Sequence, residues 1–343
     1  MFLNRAINWV EQGYVPDTVT RIGIRSLVRS RAREEDKRYR DPATLERFLE
    51  RMSAGPVAAN AADANTQHYE VPTEFYRQVL GPRLKYSCGW FNEATDSLAD
   101  AEENMLTLSA ERAELADGMA ILELGCGWGS MTLWMAERYP NATIVAVSNS
   151  STQKAFIDEA AAARSLANID VVTADMNDFD PGRRFDRIVS IEMFEHMRNH
   201  KVLFERISRW LEPDGKLFFH VFCHRHFPYF FEPRSDADWM AKNFFTGGMM
   251  PSFDLPLYSQ SSLALEDRWA ISGMHYARTC DRWLEQCDAN RATVLAAFDA
   301  GDDPVPADVQ FHRWRMFFMA CRELFAFAGG DEWHVAHYRF TRQ

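Results

Sequence analysis

Between residues 119 and 222 short apolar runs alternate with longer amphipathic ones, and no other feature of the chain restricts its fold as tightly. Ala120–Leu124, Ala142–Val147, Ile169–Thr173, Phe185–Ile191 and Lys216–Phe222 have the aliphatic and β-branched content of buried strands. The intervening stretches Ser130–Arg138, Thr152–Ala167 and Val202–Trp210 have helical spacing. Strands that alternate with helices pair in parallel and are covered on both faces. The spacing therefore predicts an α/β fold, with a doubly wound, mostly parallel, Rossmann-like sheet as the core over 96–225. A hydrophobic content of 47% in 343 residues suffices for a large core. No apolar run reaches the ~20 residues of a membrane span.

On either side of this core the pattern changes. Residues 1–95 read as an N-terminal helical segment and lid, with an amphipathic basic helix over 21–40, a small polar run at 54–65 and a helix over 71–80. Residues 226–330 are rich in Phe, Tyr and Trp and read as a helical cap over the carboxyl edge of the sheet. Residues 331–343 read as a strand that completes the core sheet.

Lysine plus arginine number 38 against 49 aspartate plus glutamate, a net charge of −11, which disfavours nucleic acid as a partner. The segment 21–40 departs from this, with eight basic and three acidic residues, which leaves −16 for the rest. Such a helix either pairs with the acidic body of the protein or lies on a membrane surface; pairing is the favoured reading, and peripheral membrane contact stays open. Six cysteines without a CxxC pair are too dilute for a disulfide framework and fit a reducing, cytoplasmic setting. Cys223, His224 and His226 lack a second set of ligands, so no metal is expected. Sequence leaves a homodimer open.

The first strand runs straight into Gly125-Cys126-Gly127-Trp128-Gly129, which opens a helix. Glycines there permit a tight turn and close approach of backbone to a ligand. The GxGxG spacing differs from the GxGxxG of dinucleotide sites. With the acidic Glu123 two residues ahead, it matches the pattern used for S-adenosylmethionine, a nucleoside cofactor without a pyrophosphate. Ser148 and Asn149 follow the second strand, where a ribose would lie. Asp175 and Met176 follow the third, where Asp175 is placed to accept from an adenine amino group. After the fourth strand come Glu192, Glu195 and His196. Glu192 and His196 are four apart, so on a helical turn they share one face, and a carboxylate beside an imidazole suits proton removal near neutral pH.

Several strings make the reading more specific. Gln67-His-Tyr-Glu-Val-Pro-Thr73, Tyr86-Ser-Cys88, the glycine turn, Phe194-Glu-His196 and His220 resemble the cyclopropane-fatty-acid synthase superfamily of methyltransferases. Ser190 to Met197, His220 to His224, Phe244 to Gly248, Met250 to Ser252 and Trp314 to Phe318 are most similar to its coclaurine N-methyltransferase branch. The resemblance covers roughly residues 65–343.

It implies a class I S-adenosylmethionine-dependent methyltransferase in which Tyr86, Ser87 and Gly125 to Gly129 contact the cofactor and Gln153 lies near the adenosine. It implies substrate contacts from Cys88, Trp90, His220, Phe245 and Phe317. Glu192, Glu195 and His196 are the expected catalytic groups, acting on a small, aromatic alkylamine with Glu192 and His196 as the base pair. Cys88, Glu195 and His220 also match three of the four groups that hold a bicarbonate base in cyclopropane synthases. The fourth, a tyrosine, is replaced by Phe317, and Glu192 stands where that branch has glycine. Both departures favour a cationic amine, with a fatty-acyl phospholipid as the alternative acceptor.

Overall fold

The computed structural model describes residues 2–59, 71–95, 97–232, 238–260, 262–301 and 303–343. Positions 67–70 of the first quoted motif and 60–65 of the small polar run lie outside them. The chain begins with helices α1 (Phe2–Glu11), α2 (Asp17–Arg38), α3 (Ala43–Ser53), α4 (Thr73–Val79) and α5 (Leu98–Arg112). The alternating region follows as β1 (Ala120–Leu124), α6 (Ser130–Arg138), β2 (Thr143–Ser148), α7 (Ser151–Ala163), β3 (Ile169–Thr173), β4 (Phe185–Ile191), α8 (His200–Trp210) and β5 (Leu211–His224). Beyond it come β6 (Tyr229–Phe230), α9 (Trp239–Asn243), β7 (Met249–Met250), β8 (Leu263–Ile271), α10 (Gly273–Ala289), α11 (Arg291–Asp299), α12 (Ala307–Phe325) and β9 (Trp333–Arg342).

Seven strands form one sheet in the order β3-β2-β1-β4-β5-β9-β8, and β6 pairs with β7 in a separate hairpin. β1 to β5 are parallel, with Leu122 between Val145 of β2 and Ile188 of β4. All three are buried, as a sheet covered on both faces requires. The order reverses between β1 and β4. In doubly wound sheets that switch point opens a crevice at the carboxyl ends of the strands. The glycine turn after β1 and Glu192 after β4 meet there.

The last strand, β9, runs antiparallel between β5 and β8. β8 was not foreseen: its residues fall in the stretch read as helical cap, yet they form the outer edge of the core sheet. The physical reason is composition. An edge strand faces solvent, so Glu266, Asp267 and Arg268 sit in its middle and hide the alternation. A shift in pairing near Leu265 and Asp267 breaks the period further.

The basic helix α2 packs against α12 and not against solvent alone. Arg21 and Arg25 both donate to Glu323 of α12, at 3.1 and 2.6 Å, and Arg31 pairs with Asp238. Three of the eight basic residues of this segment are thus met by carboxylates from elsewhere in the chain. No helix among the described residues is long and apolar enough to cross a membrane.

Gly273 opens α10 where the helix meets β9. A Cβ there would lie 2.2 Å from the Trp333 carbonyl oxygen and 2.4 Å from that of Phe325. Backbone cannot yield as a side chain can, so Gly273→Ala is expected to destabilise the fold by about 3 kcal/mol, measured as a lowered urea midpoint at constant m-value.

Candidate active site

Two adjoining cavities lie along the carboxyl ends of β1 to β4. The larger encloses about 360 Å³ and the smaller about 80 Å³. Gly125, Gly127, Gln153, Glu192 and His196 line both, so the glycine turn and the start of the β4 loop form the common wall. Val147, Ser148, Asn149, Asp175 and Met176 are among the other residues that line the smaller one. Tyr86, Ser87, Glu123, Cys126, Trp128 and Glu195 line the larger one near the wall.

The glycine turn is built by three left-handed residues, with φ of +77° at Gly125, +52° at Gly127 and +77° at Gly129. Gly127 has open space where a Cβ would stand, as backbone that receives a ligand needs. Gly129 does another job. It lines neither cavity, and a Cβ on it would come within 2.7 Å of Ile157 in α7, so this glycine serves close packing between helices. Glu123 is buried and accepts from Thr132 Oγ1 at 2.5 Å, and burial lifts its carboxyl to about 8. Ser148 Oγ donates to Gln153 Oε1 at 2.7 Å, and Gln153 Nε2 is buried without a partner among the described residues. Ser130 Oγ, at the start of α6, is likewise buried and unpartnered. Asp175 also accepts from the Asn177 amide at 2.8 Å and so shapes its own turn.

Glu192 is the centre of the site. It has a φ of +49°, which costs about 1 kcal/mol for a residue with a side chain. The chain then makes a 3-10 turn, Phe194–His196, so the single helical face expected for Glu192 and His196 does not form. Both side chains still line the larger cavity, but the carboxylate bonds of Glu192 run elsewhere. Oε1 accepts from the Cys88 amide at 3.2 Å and meets His220 Nε2 at 3.1 Å, and Oε2 accepts from Tyr276 Oη at 2.7 Å. Burial lifts this carboxyl to about 7 against the pull of Lys85. Glu195 is 2% exposed, and its Oε2 has no partner among the described residues. Burial, reinforced by Glu192, pushes the Glu195 carboxyl well above its ordinary range.

The segment that supplies Cys88 is anchored from α5. Buried Glu102 accepts from the amides of Gly81, Arg83 and Lys85 at 3.0, 2.8 and 3.2 Å. Lys85 Nζ, also buried, donates to Ser87 Oγ and to the Cys88 carbonyl, which fixes the turn that aims the Cys88 amide at Glu192.

Of the expected substrate residues, Phe245 and Phe317 line the larger cavity. Cys88 and His220 do not; they stand behind Glu192 and hold it. Trp90 lies outside both cavities, stacked on His275 with ring centroids 4.3 Å apart. His224 is engaged by Glu332 at 3.1 Å and by the amides of His226 and Phe227, and no group of three or more metal-ligating side chains occurs among the described residues. Tyr276, Lys85 and the α2 residues Ile24, Leu27 and Val28 were missed as site residues. Lys85 directly precedes the Tyr86-Ser87-Cys88 motif, a signal that a charged residue beside an apolar run could have given. The others meet the site only through tertiary packing.

The fold is that of a class I S-adenosylmethionine-dependent methyltransferase. Residues 58–334 match the mycolic acid cyclopropane synthetase family, and the chain belongs to that family, in its coclaurine N-methyltransferase-like branch. It is 36% identical over 291 residues to (S)-coclaurine N-methyltransferase of Thalictrum flavum subsp. glaucum, covering 84% of this chain and 81% of that one. It is 30% identical over 341 residues to the enzyme of the same name from Papaver somniferum, covering 97% of each. A crystal structure of coclaurine N-methyltransferase bound to N-methylheliamine and SAH superposes with a TM-score of 0.90 at 32% identity, covering 99% of this chain and 98% of that one.

The cofactor is S-adenosylmethionine, and the unpartnered Gln153 amide, the unpartnered Ser130 hydroxyl and the open face of Gly127 fit a ligand of its polarity. Gly127→Val places a β-branched side chain at φ +52° in that open space. Titration with S-adenosylhomocysteine by calorimetry is expected to show no binding to this variant, and thermal melts no stabilisation by the ligand.

Proposed function

We propose that this protein transfers a methyl group from S-adenosylmethionine to the nitrogen of a small, aromatic alkylamine, with Glu192 as the base. The observation that carries the reading is the pair of buried carboxyl groups, Glu192 and Glu195, at the wall of a cavity rich in aromatic and aliphatic side chains, with one Glu195 oxygen unpartnered among the described residues. A buried carboxylate calls for a compensating charge or donor. Lys85 serves part of this need from behind Glu192; an ammonium in the cavity would serve the rest.

Bound S-adenosylmethionine supplies a sulfonium methyl that a nitrogen lone pair can attack, the sulfur leaving with the bonding electrons. Gln153, Ser148 and Asp175 would hold its nucleoside, and the turn Gly125–Gly127 its amino-acid portion. The acceptor enters as an ammonium with a pKa near 10.4, like that of lysine, and has no lone pair to attack with. Glu192 takes the proton. Its Oε1 already faces two donors, whereas Oε2 faces only Tyr276, so the open lone pair of Oε2 is the receiving position. Lifting this carboxyl from 4.5 to about 7 narrows the gap to the ammonium and eases the uphill proton transfer. Glu195 holds the nitrogen by its unpartnered oxygen, and His196 adds an imidazole to the wall shared by both cavities. Phe245 and Phe317, with ring centroids 5.9 Å apart, offer faces to an aromatic acceptor.

The alternative acceptor is an unsaturated phospholipid. Against it, two groups matched to bicarbonate binding, Cys88 and His220, converge on Glu192 Oε1. The protein's own carboxylate takes the donors that a small anion would need.

Incubation with methyl-labelled cofactor and either aromatic secondary amines or unsaturated phospholipid vesicles tests the assignment. Label is expected in the amines; label in lipid with none in any amine would overturn it. Glu192→Gln is expected to lower kcat/KM at least ~100-fold and to leave S-adenosylhomocysteine affinity within about twofold. In the unsubstituted enzyme kcat/KM should rise with pH through about 7, because the base must lose its own proton before it can accept another.

A further inference from the structure

Behind Glu192 a line of hydrogen bonds leaves the site and crosses the sheet. His220 Nε2 meets Glu192 Oε1 at 3.1 Å, His220 Nδ1 meets His337 Nε2 at 2.9 Å, and His337 Nδ1 meets an Arg112 guanidinium nitrogen at 2.9 Å. The sheet explains the alignment. His220 of β5 is paired with His337 of β9, and His337 with Trp269 of β8, so the three form one row. Arg112, in the last turn of α5, lies over the Trp269 ring with its guanidinium carbon 4.8 Å from the centroid. Both histidines are fully buried.

The donor inventory decides the direction of every bond. A guanidinium has donors and no acceptor, so His337 Nδ1 must be bare. Burial keeps both imidazoles neutral by holding them well below their ordinary range. A neutral ring with a bare Nδ1 carries its proton on Nε2. His337 therefore donates to His220 Nδ1, and His220, by the same rule, donates from Nε2 to Glu192. One arginine at the far end orients two rings and hands the carboxylate a donor.

We propose that Arg112 and His337 are positioning residues for the reaction: they lock His220 in the tautomer that donates to Glu192. The alternative tautomers would set a lone pair of His220 against a carboxylate oxygen. This inference rests on Glu192 as the base. Other groups also face or influence that carboxylate: Lys85 and Cys88 from the anchored segment, Tyr276 from α10, and Glu195 and His196 from its own loop. Asp267 of β8 acts on Arg112. Glu111 also acts on Arg112, and Lys85 acts on both imidazoles through its charge; the bond to His337 Nδ1 comes from Arg112, so the tautomer readout at that position reports on the line.

Nitrogen-15 NMR of the histidine-labelled, cofactor-free protein reads the tautomers without any substrate and separates this inference from the choice of acceptor. His220 and His337, assigned through His220→Gln and His337→Gln, are expected to show protonated Nε2 and bare Nδ1. A protonated Nδ1 on His220 in the unsubstituted protein would overturn the proposal even if amine methylation is confirmed. Arg112→Met keeps the stem over Trp269 and removes the donor. It is expected to mix the tautomers, to move the acidic limb of kcat/KM to higher pH and to lower kcat about 10-fold, with KM within about twofold. Arg112→Lys restores a donor and should recover most of kcat and the original limb. Unchanged tautomers and an unchanged limb in Arg112→Met would also overturn it. Loss of activity in Glu192→Gln alongside normal tautomers would leave the base assignment standing.

Discussion

The site depends on one buried carboxylate, Glu192, held by donors from three separate parts of the chain. Cys88 comes from the segment ahead of α5, His220 from β5 and Tyr276 from α10. None is near Glu192 in sequence, so the carboxylate ties the N-terminal segment and the later helices to the crevice of the sheet. The left-handed backbone at Glu192 is understandable in the same terms. Its amide donates to the His220 carbonyl at 2.8 Å, which continues the β4–β5 pairing while the side chain turns back among its donors. A local cost of about 1 kcal/mol is small beside three hydrogen bonds to a charged group, each worth about 1.5–3 kcal/mol.

The core was legible because its signals are local. β1, β3, β4 and α6 begin and end where periodicity places them, and the glycine turn is a contiguous string. β8 was hidden because an edge strand is half solvated and carries charges. The pairing of Glu192 with His196 was expected from helical spacing, and a 3-10 turn behind a left-handed residue removes that premise. Gly129 was grouped with its neighbours by pattern, although its conformation serves packing against Ile157. Trp90 was expected among the substrate contacts, but its ring is taken up by stacking on His275 outside both cavities, a contact with a residue far away in sequence. His337 and Arg112 had no local signal at all: their meeting depends on strand register, which a single sequence does not state.

The N-terminal helices show how charge and cavity shape are combined. In α2, Ile24 and Val28 face the larger cavity, while Arg21, Arg25 and Arg31 reach Glu323 and Asp238. The helix is basic by count, and three of its arginines are paired with carboxylates from other parts of the chain. That matters for a cavity whose inner wall holds two carboxyl groups. Of these arginines only Arg31 lines the cavity, and its pairing with Asp238 suits the cationic acceptor proposed above.

The same balance bears on why a carboxylate is built into the chain where related enzymes are expected to bind a small anion. An attached carboxylate needs no binding step and cannot diffuse away, so its effective concentration is set by the fold. Its drawback is desolvation, which pushes it towards the protonated form. Three hydrogen bonds and the charge of Lys85 oppose that push, and the balance leaves the group at about 7, still able to ionise. A weaker donor set would keep it protonated and unable to accept. A stronger one would return it to the ordinary carboxylate range, too weak a base for an ammonium. In the proposal made above, the fixed polarity of the Arg112–His337–His220 line keeps one of those donors presented to Glu192 and so limits how far its carboxyl can drift.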